Sequence, residues 1–538
     1  TAAAEFDHTP LTGLAAGNYT VSVEGSSGTG GNYYDLVVSP RSGLFEADYV
    51  IAGKTQNLVN HLDENLQFIH AGSGQILLTV GQQPGSGKVV ELLWLEIQNS
   101  KTDSIISGEN LTTAGNLYLG QMILNGSLRE LRFAGLIDAV VAAAGSKGTL
   151  ERAELGAVGS VDAANYNFQD FAAESLGDAE IDESVFNAKS LKNLDIAGDI
   201  TNVLLLEENT DNNYGQIAVG GTIDGSTFEG HNYGDIEVNG IITDSSFTGR
   251  RAKTILVKNT DQEDIAISGS TFTFTGTGAA LDTLRVLEGD VSSSNFTVST
   301  KMGLFEVRNG NLSGGKIQAN GPGGQIGTLL IRRAADGTEE DSAGNITGSA
   351  QITAYRKMGK IHADGDIASG VSVRVSHYTG KLVQASCGGN MAGYLYGGKI
   401  GEVLAGFDAD GKKLAENDAF SGSDITGTIS AFLGISKISA TGKLNGASIT
   451  SSYSSITNLF AEDGFEETTV SAYKTITRIM VGFLDGNRWK VVNENADVSG
   501  SVTARTLGRI YYTGTLAEDV VSDDTRISGP LYDVIPGN

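Results

Sequence analysis

The chain has 538 residues, among them 72 Gly, 6 Pro and a single Cys, and its 64 Asp and Glu against 37 Lys and Arg give a formal net charge of -27. Such a chain is neither collagen nor a Pro-rich linker, it has no disulfide framework, and its acidic surface would repel nucleic acid. No apolar run reaches the roughly 18 residues of a membrane-spanning helix, and since the chain begins at Thr1 a mature product or a fragment is expected.

Over residues 1–44, Leu14 to Val23 reads as an alternating strand, Gly28 to Gly31 as a turn and Tyr33 to Val38 as the returning strand. The pattern Leu-x-x-Gly-x-Tyr-x-Val-x-Val, then a Gly-rich turn and Tyr-x-Leu-x-Val, resembles the final hairpin of the bacterial pre-peptidase C-terminal domain over about residues 8–40. That resemblance implies a partial β-sandwich-like segment of a secreted protein. Residues 45–127 are apolar and strand-rich, notably Val89 to Ile97, and are expected to cap the following repeat, whose exposed end would otherwise be an aggregating edge.

From 128 to 538 the sequence repeats. Asn213 to Phe228 aligns with Asn232 to Phe247, and the shared template is apolar, any, apolar, any, Gly, any, apolar. It recurs at Leu131/Phe133/Gly135/Ile137, Leu194/Ile196/Gly198/Ile200, Ile361/Ala363/Gly365/Ile367, Ile438/Ala440/Gly442/Leu444 and Ile510/Tyr512/Gly514/Leu516. Alternation at period two means a strand with one buried face; the Gly is read as the residue whose positive φ turns the corner. Repetition about every 19–21 residues predicts an all-β, right-handed parallel β-helix of roughly 16–19 coils, on the order of 80–90 Å long. Its core ladder comprises Ile217, Val219, Ile223 and Phe228 stacked on Ile236, Val238, Ile242 and Phe247. The Leu grammar of a leucine-rich repeat is absent, and the nearly constant spacing fits a solenoid better than a β-sandwich array.

A longer unit is superimposed from about residue 326. Asp336-Gly337, Asp408-Ala409-Asp410-Gly411 and Asp485-Gly486-Asn487 each follow an apolar strand, and Ile346, Ile425 and Val498 anchor the next segment. Asp-Gly between strands is a hairpin signal, so β-hairpins are expected to project near 332–343, 406–420 and 483–495. If coil register is kept, they share one edge and offer a binding face or lattice contact.

Chemistry-bearing patterns are sparse. Asn209-Thr210-Asp211 and Asn259-Thr260-Asp261 resemble the Asn-Thr-Asp element of polygalacturonases, but that family's His-Gly and Arg-Ile-Lys companions are not found, and no enzyme is expected. The weak Ca²⁺ candidates are Asp261, Glu263, Asp264, Asp336, Glu339, Asp341, Asp408 and Asp410, none with the spacing of a full calcium loop; no other cofactor is expected. Glycosylation sequons stand at Asn18, Asn110, Asn125, Asn295, Asn311 and Asn345. Cys387 reads as a small buried apolar side chain.

As a whole the chain resembles large bacterial cell-surface β-helix proteins of the adhesin, surface-layer or filament type. That implies an extracellular structural or adhesive protein that associates with itself and binds surface glycans. The competing expectations are a polysaccharide-degrading β-helix enzyme and a phage tailspike-like glycan binder.

Overall fold

A computed structural model of the chain describes residues 46–533 apart from 52–53, 60–65, 70–74, 82–89, 101, 111–116, 178–183, 208–212, 262, 334–343, 416–421, 484–490, 523–524 and 528–530. The hairpin read over 8–40 and the whole segment 1–44 lie outside these residues. The described chain is all-β, without helix, and winds into a parallel β-solenoid of about 15 turns, roughly 70 Å long at the usual strand spacing.

Each turn contributes to three parallel walls. Sheet A is built from strands such as Asn213–Val219, Asn232–Val238 and Arg251–Val257. Sheet B uses two-residue strands such as Ile223–Asp224 and Ile242–Thr243. Sheet C uses Thr227–Glu229, Ser246–Gly249, Thr271–Phe274 and their successors. Ile217 pairs with Ile236 and Val219 with Val238 in sheet A, Ile223 with Ile242 in sheet B, and Phe228 with Phe247 in sheet C. All eight side chains are buried. Because equivalent residues repeat one rotamer per turn, Phe228, Phe247, Phe272 and Phe296 stack with centroid separations of 4.5, 4.9 and 4.8 Å, close to the strand spacing itself. Tyr214 and Tyr233 stack likewise at 5.2 Å.

The turn count is lower than the 16–19 expected, because the insertion-bearing turns are long. Leu329 and its partner Ile361 are 32 residues apart, Val403 and Ile438 are 35, and Ile479 and Ile510 are 31.

Side chains close the corners. Between sheets B and C the chain passes through positive φ, at Asn202, Gly225, Asp244, Gly269, Ser293 and the pair Gly314-Gly315. The following serines form a buried ladder: Ser245 Oγ accepts the Ser226 amide, Ser270 Oγ that of Ser245, and Ser294 Oγ that of Ser270, at 3.1–3.2 Å. Between sheets A and B, an Asn/Asp ladder does the same work. Asp290 Oδ1 accepts the amide of Asn311, Asn311 that of Asn345, Asn345 that of Asp366, Asp366 that of Asn390, Asn390 that of Asp424 and Asp424 that of Lys443. Each bond satisfies a backbone donor that the corner removes from the strand ladder.

The Gly of the repeat template belongs to this second corner, and the reason for it differs from the one expected. Of the template glycines, Gly135 has positive φ, whereas Gly221, Gly240, Gly442 and Gly514 do not. What they provide is room. A β-carbon would stand 2.0 Å from Asp199 Oδ1 on Gly221, 2.3 Å from Asp424 Oδ1 on Gly442 and 2.5 Å from Asp497 Oδ1 on Gly514.

Two of the expected hairpin regions show antiparallel bases, Phe407 opposite Lys413 and Phe483 opposite Val491. Both leave from one register column of sheet A, in which Ile331, Ala363, Cys387, Ala405, Ala440, Ala461 and Val481 succeed one another. The third region also follows Ile331 in this column, but 334–343 lies outside the described residues. The bases lie against the outer face of sheet A. Phe407 and Phe483 are buried, and Phe483 and Val491 pack on Phe460, Met480 and Tyr511. Lys413 Nζ reaches Glu462 at 2.6 Å.

At the N-terminal end Glu46–Ile51 pairs antiparallel with Lys54–Val59 and with Gln75–Gly81. Parallel pairing begins with Leu66–Ile69 on Val90–Ser100 and Gln75–Gly81 on Ile105–Asn110, so the segment read as a cap also carries the first turns.

Candidate binding face on the C-terminal turns

The residues singled out by sequence are dispersed. Asn259 is buried at positive φ; its Nδ2 donates to the Glu263 carbonyl and its Oδ1 accepts the Glu263 amide. That side chain therefore shapes the 259–263 loop, with Asp261, Glu263 and Asp264 exposed around it. Asp408 Oδ1 accepts the amides of Asp410 and Lys412, which forms the turn, and Asp410 lies 3.8 Å from Lys360. Asp336, Glu339 and Asp341 lie outside the described residues, as does Asn209-Thr210-Asp211. Among the described residues no three His, Cys, Asp or Glu side chains converge as metal ligands. Of the sequons, Asn311 and Asn345 are members of the Asn/Asp ladder, Asn295 begins a sheet C strand, Asn125 and Asn110 lie in N-terminal strands, and Asn18 lies outside the described residues.

The most distinctive surface is made of residues the sequence reading did not single out, on turns it did. Where sheet C passes into sheet A, rings follow one another along the rod. Tyr355 lies 5.2 Å from His377, His377 4.6 Å from Tyr378, Tyr378 6.3 Å from Phe432, Phe432 4.4 Å from Tyr453, and Tyr453 6.2 Å from Tyr473, between centroids. The turn between Tyr378 and Phe432 carries Gly397-Gly398 at this corner. Tyr378, Tyr453 and Tyr473 are 60%, 55% and 63% exposed, and neighbouring exposed rings of this kind mark interaction surfaces.

Beside this strip, the outer face of sheet C bears only hydroxyls over four turns. Thr428, Ser448, Thr469 and Ser501 form one register column, and Ser430, Thr450, Ser471 and Thr503 the next. The alternating partners Ile429, Ile449, Val470 and Val502 are buried, so period-two patterning fixes which residues face out. One turn earlier the same two columns hold Tyr394 and Tyr396, with the Arg374 guanidinium 5.3 Å from the Tyr396 ring. Within these four turns neither column contains a carboxylate, on a chain of net charge -27.

Two other constellations bring polar side chains together. On the outer face of sheet A, His362 bonds through Nδ1 to Ser386 Oγ at 2.9 Å and through Nε2 to Asp364 Oδ1 at 2.7 Å. Burial opposes the charge on Asp364, but the bond to His362, its charge, the Arg333 amide and Arg332 outweigh it and hold the carboxyl below its ordinary pKa. The set has the composition of a nucleophilic triad, yet His362 and Ser386 have no solvent exposure, so the nucleophile meets no substrate in this arrangement. Nearer the N-terminus a shallow groove of about 420 Å³ is lined by Arg152, Glu154, Asp170, Asn193, Asp195 and Gln216. Glu154 is engaged by Arg132 and Arg152, and Asp170 accepts a bond from Asn193 Nδ2 at 2.7 Å.

The aromatic strip has a sequence signal once the turns are aligned: an aromatic just past the small inner residue that ends the sheet C strand, as in Ala354-Tyr355, Ala431-Phe432 and Ala472-Tyr473. Comparison with protein-family models, curated proteins and solved structures finds no match for the chain.

Proposed function

We propose that the protein is an extracellular adhesive or structural rod, without catalytic activity, that holds neutral glycan chains along its C-terminal turns. The observation that carries this reading is the strip of rings from Tyr355 to Tyr473, exposed at Tyr378, Tyr453 and Tyr473, beside a wall of hydroxyls free of carboxylate. Aromatic faces are electron-rich and apolar and accept the C–H faces of sugar rings, while Ser and Thr both donate and accept hydrogen bonds. An extended polymer lying along the axis would meet the same groups turn after turn. Self-association into a layer or filament belongs to the same proposal, because arraying many weak strips multiplies affinity without new contacts. The test is retention of the full chain on insoluble neutral polysaccharides, with a glycan array to identify the sugar. Tyr453→Ala with Tyr473→Ala is expected to abolish retention and leave the melting curve unchanged. Equal retention by that variant, or no glycan bound at all, rules the reading out.

A second reading, glycan cleavage, is favoured by one observation, the groove bearing Glu154, Asp170 and Asp195 beside Arg152. New reducing ends, lost in Glu154→Gln or Asp170→Asn, are the outcome it requires.

A further inference from the structure

On the outer face of sheet A, at the edge opposite the aromatic strip, three guanidinium groups surround one carboxylate. Glu306 has 4% side-chain exposure and receives Arg285 Nε at 2.7 Å and Arg308 Nε at 2.9 Å, with Arg332 Nε at 3.4 Å. Arg285 is the register partner of Glu306 on the preceding turn, and Arg308 is the direct partner of Arg332 on the next. Like charges side by side on neighbouring strands repel, and Glu306 neutralises one positive charge of three. Asp364, one turn further on, is hydrogen-bonded to His362 and to the Arg333 amide, and its charge offsets part of that of Arg332. Arg332 Nε is itself buried without a hydrogen-bond partner. The side chains of Arg285, Arg308 and Arg332 remain 37%, 46% and 42% exposed, so a ligand reaches them from solvent at the terminal nitrogens rather than at the buried Arg332 Nε. This is a concentrated positive island on a strongly acidic chain.

We infer that Arg308 and Arg332, seated on Glu306, form a binding site for a single oxyanion, of the kind presented by free sulfate or by a sulfate ester on a sugar. Two planar forks on adjacent strands suit the several oxygen atoms of such a group, which two ammonium groups would not match. Glu306 has two roles here: it holds the forks in place, and it competes with the ligand for them. The surrounding negative charge repels polyanions, so the site selects an isolated charge over a densely charged polymer.

The test is calorimetric titration of the full chain with sodium sulfate, with sodium chloride at matched ionic strength, and with a monosulfated disaccharide. Saturable one-site binding of sulfate, absent with chloride, is expected. Arg308→Gln and Arg332→Gln should each weaken it at least about tenfold, the loss of one charge-assisted hydrogen bond, while the distant Arg478→Gln leaves it unchanged. Glu306→Gln should bind more tightly, a gain that structural damage does not produce. If Arg332→Gln does not fold, Arg332→Lys retains the charge without the fork and should still lose affinity. Tighter binding of the disaccharide assigns the oxyanion to a sugar, and equal binding assigns it to the free ion. Neither ligand binding saturably, or affinities unaltered in both Arg308→Gln and Arg332→Gln, overturns the site. These outcomes are independent of the aromatic strip, which lies at the other edge of sheet A.

Discussion

Asp424 Oδ1 accepts the amide of Lys443 at 2.6 Å, and the same oxygen would lie 2.3 Å from a β-carbon on Gly442. Ladder bond and missing side chain are thus one device: the Gly lets the Asp reach the next turn. Gly442→Ala should cost about 1–3 kcal/mol, as overpacking does, read from the urea midpoint of the full chain. Adding Asp424→Ala removes one of the two closest obstructing atoms and leaves the other, the Gly422 carbonyl oxygen at 2.4 Å. The double variant should therefore be less destabilised than the sum of the two single changes, and strict additivity would separate the Gly from the ladder.

That pair also marks how far the sequence could be read. The alternation at Ile217/Val219 and Ile236/Val238 is a one-dimensional signal, and the parallel walls follow from it. The template Gly was legible as a necessary residue, but its cause lies in atoms one turn below, which for Gly442 are the Asp424 side chain, 18 residues away, and the Gly422 carbonyl. The Asn and Asp that cap the corner were instead read partly as sequons, at Asn311 and Asn345. Tyr378, Phe432 and Tyr453 come together only after uneven turns are aligned, and insertions hide that alignment. His362 and Ser386 are 24 residues apart on neighbouring strands, a spacing that carries no motif.

Stacked rings at the rung spacing make the core sensitive to single truncations. Phe247 is fully buried between Phe228 and Phe272, with centroids at 4.5 and 4.9 Å. Phe247→Ala should cost about 3–5 kcal/mol, and Phe247→Leu distinctly less. Because a solenoid's stability is summed over neighbouring turns, hydrogen exchange should show faster opening centred on residues 227–274, with the turns beyond 428 retaining their protection. Uniform loosening along the rod would contradict this picture of local coupling.

Cys387 provides a probe of the sheet A wall. Its side chain is fully buried, and Sγ donates to the Gly389 carbonyl at 3.0 Å. Burial, and then the charge of Asp366, push the thiol well above its ordinary pKa, so the reactive thiolate is suppressed. The native chain should react negligibly with a thiol reagent at pH 8, and the urea-unfolded chain should react with one equivalent. Rapid native labelling would mean that this wall opens without global unfolding.

Acid should weaken the rod through its outer seams. Burial opposes ionisation of Glu306, but Arg308 and Arg285 outweigh it and lower its pKa; Asp364 is lowered against burial chiefly by His362; Asp497 is lowered by the Thr515 hydroxyl and amide. A carboxyl whose folded pKa lies below its unfolded value binds fewer protons when folded, so its contribution is fully present above the unfolded pKa of about 4. It is lost as the pH falls through the lower folded value. The urea midpoint should therefore decline as the pH drops below about 4, and Asp364→Asn should flatten part of that decline while lowering stability at pH 7. A midpoint independent of pH between about 5 and 2, or a decline of the same slope in Asp364→Asn, would show that these carboxylates are not held by the partners seen in the fold.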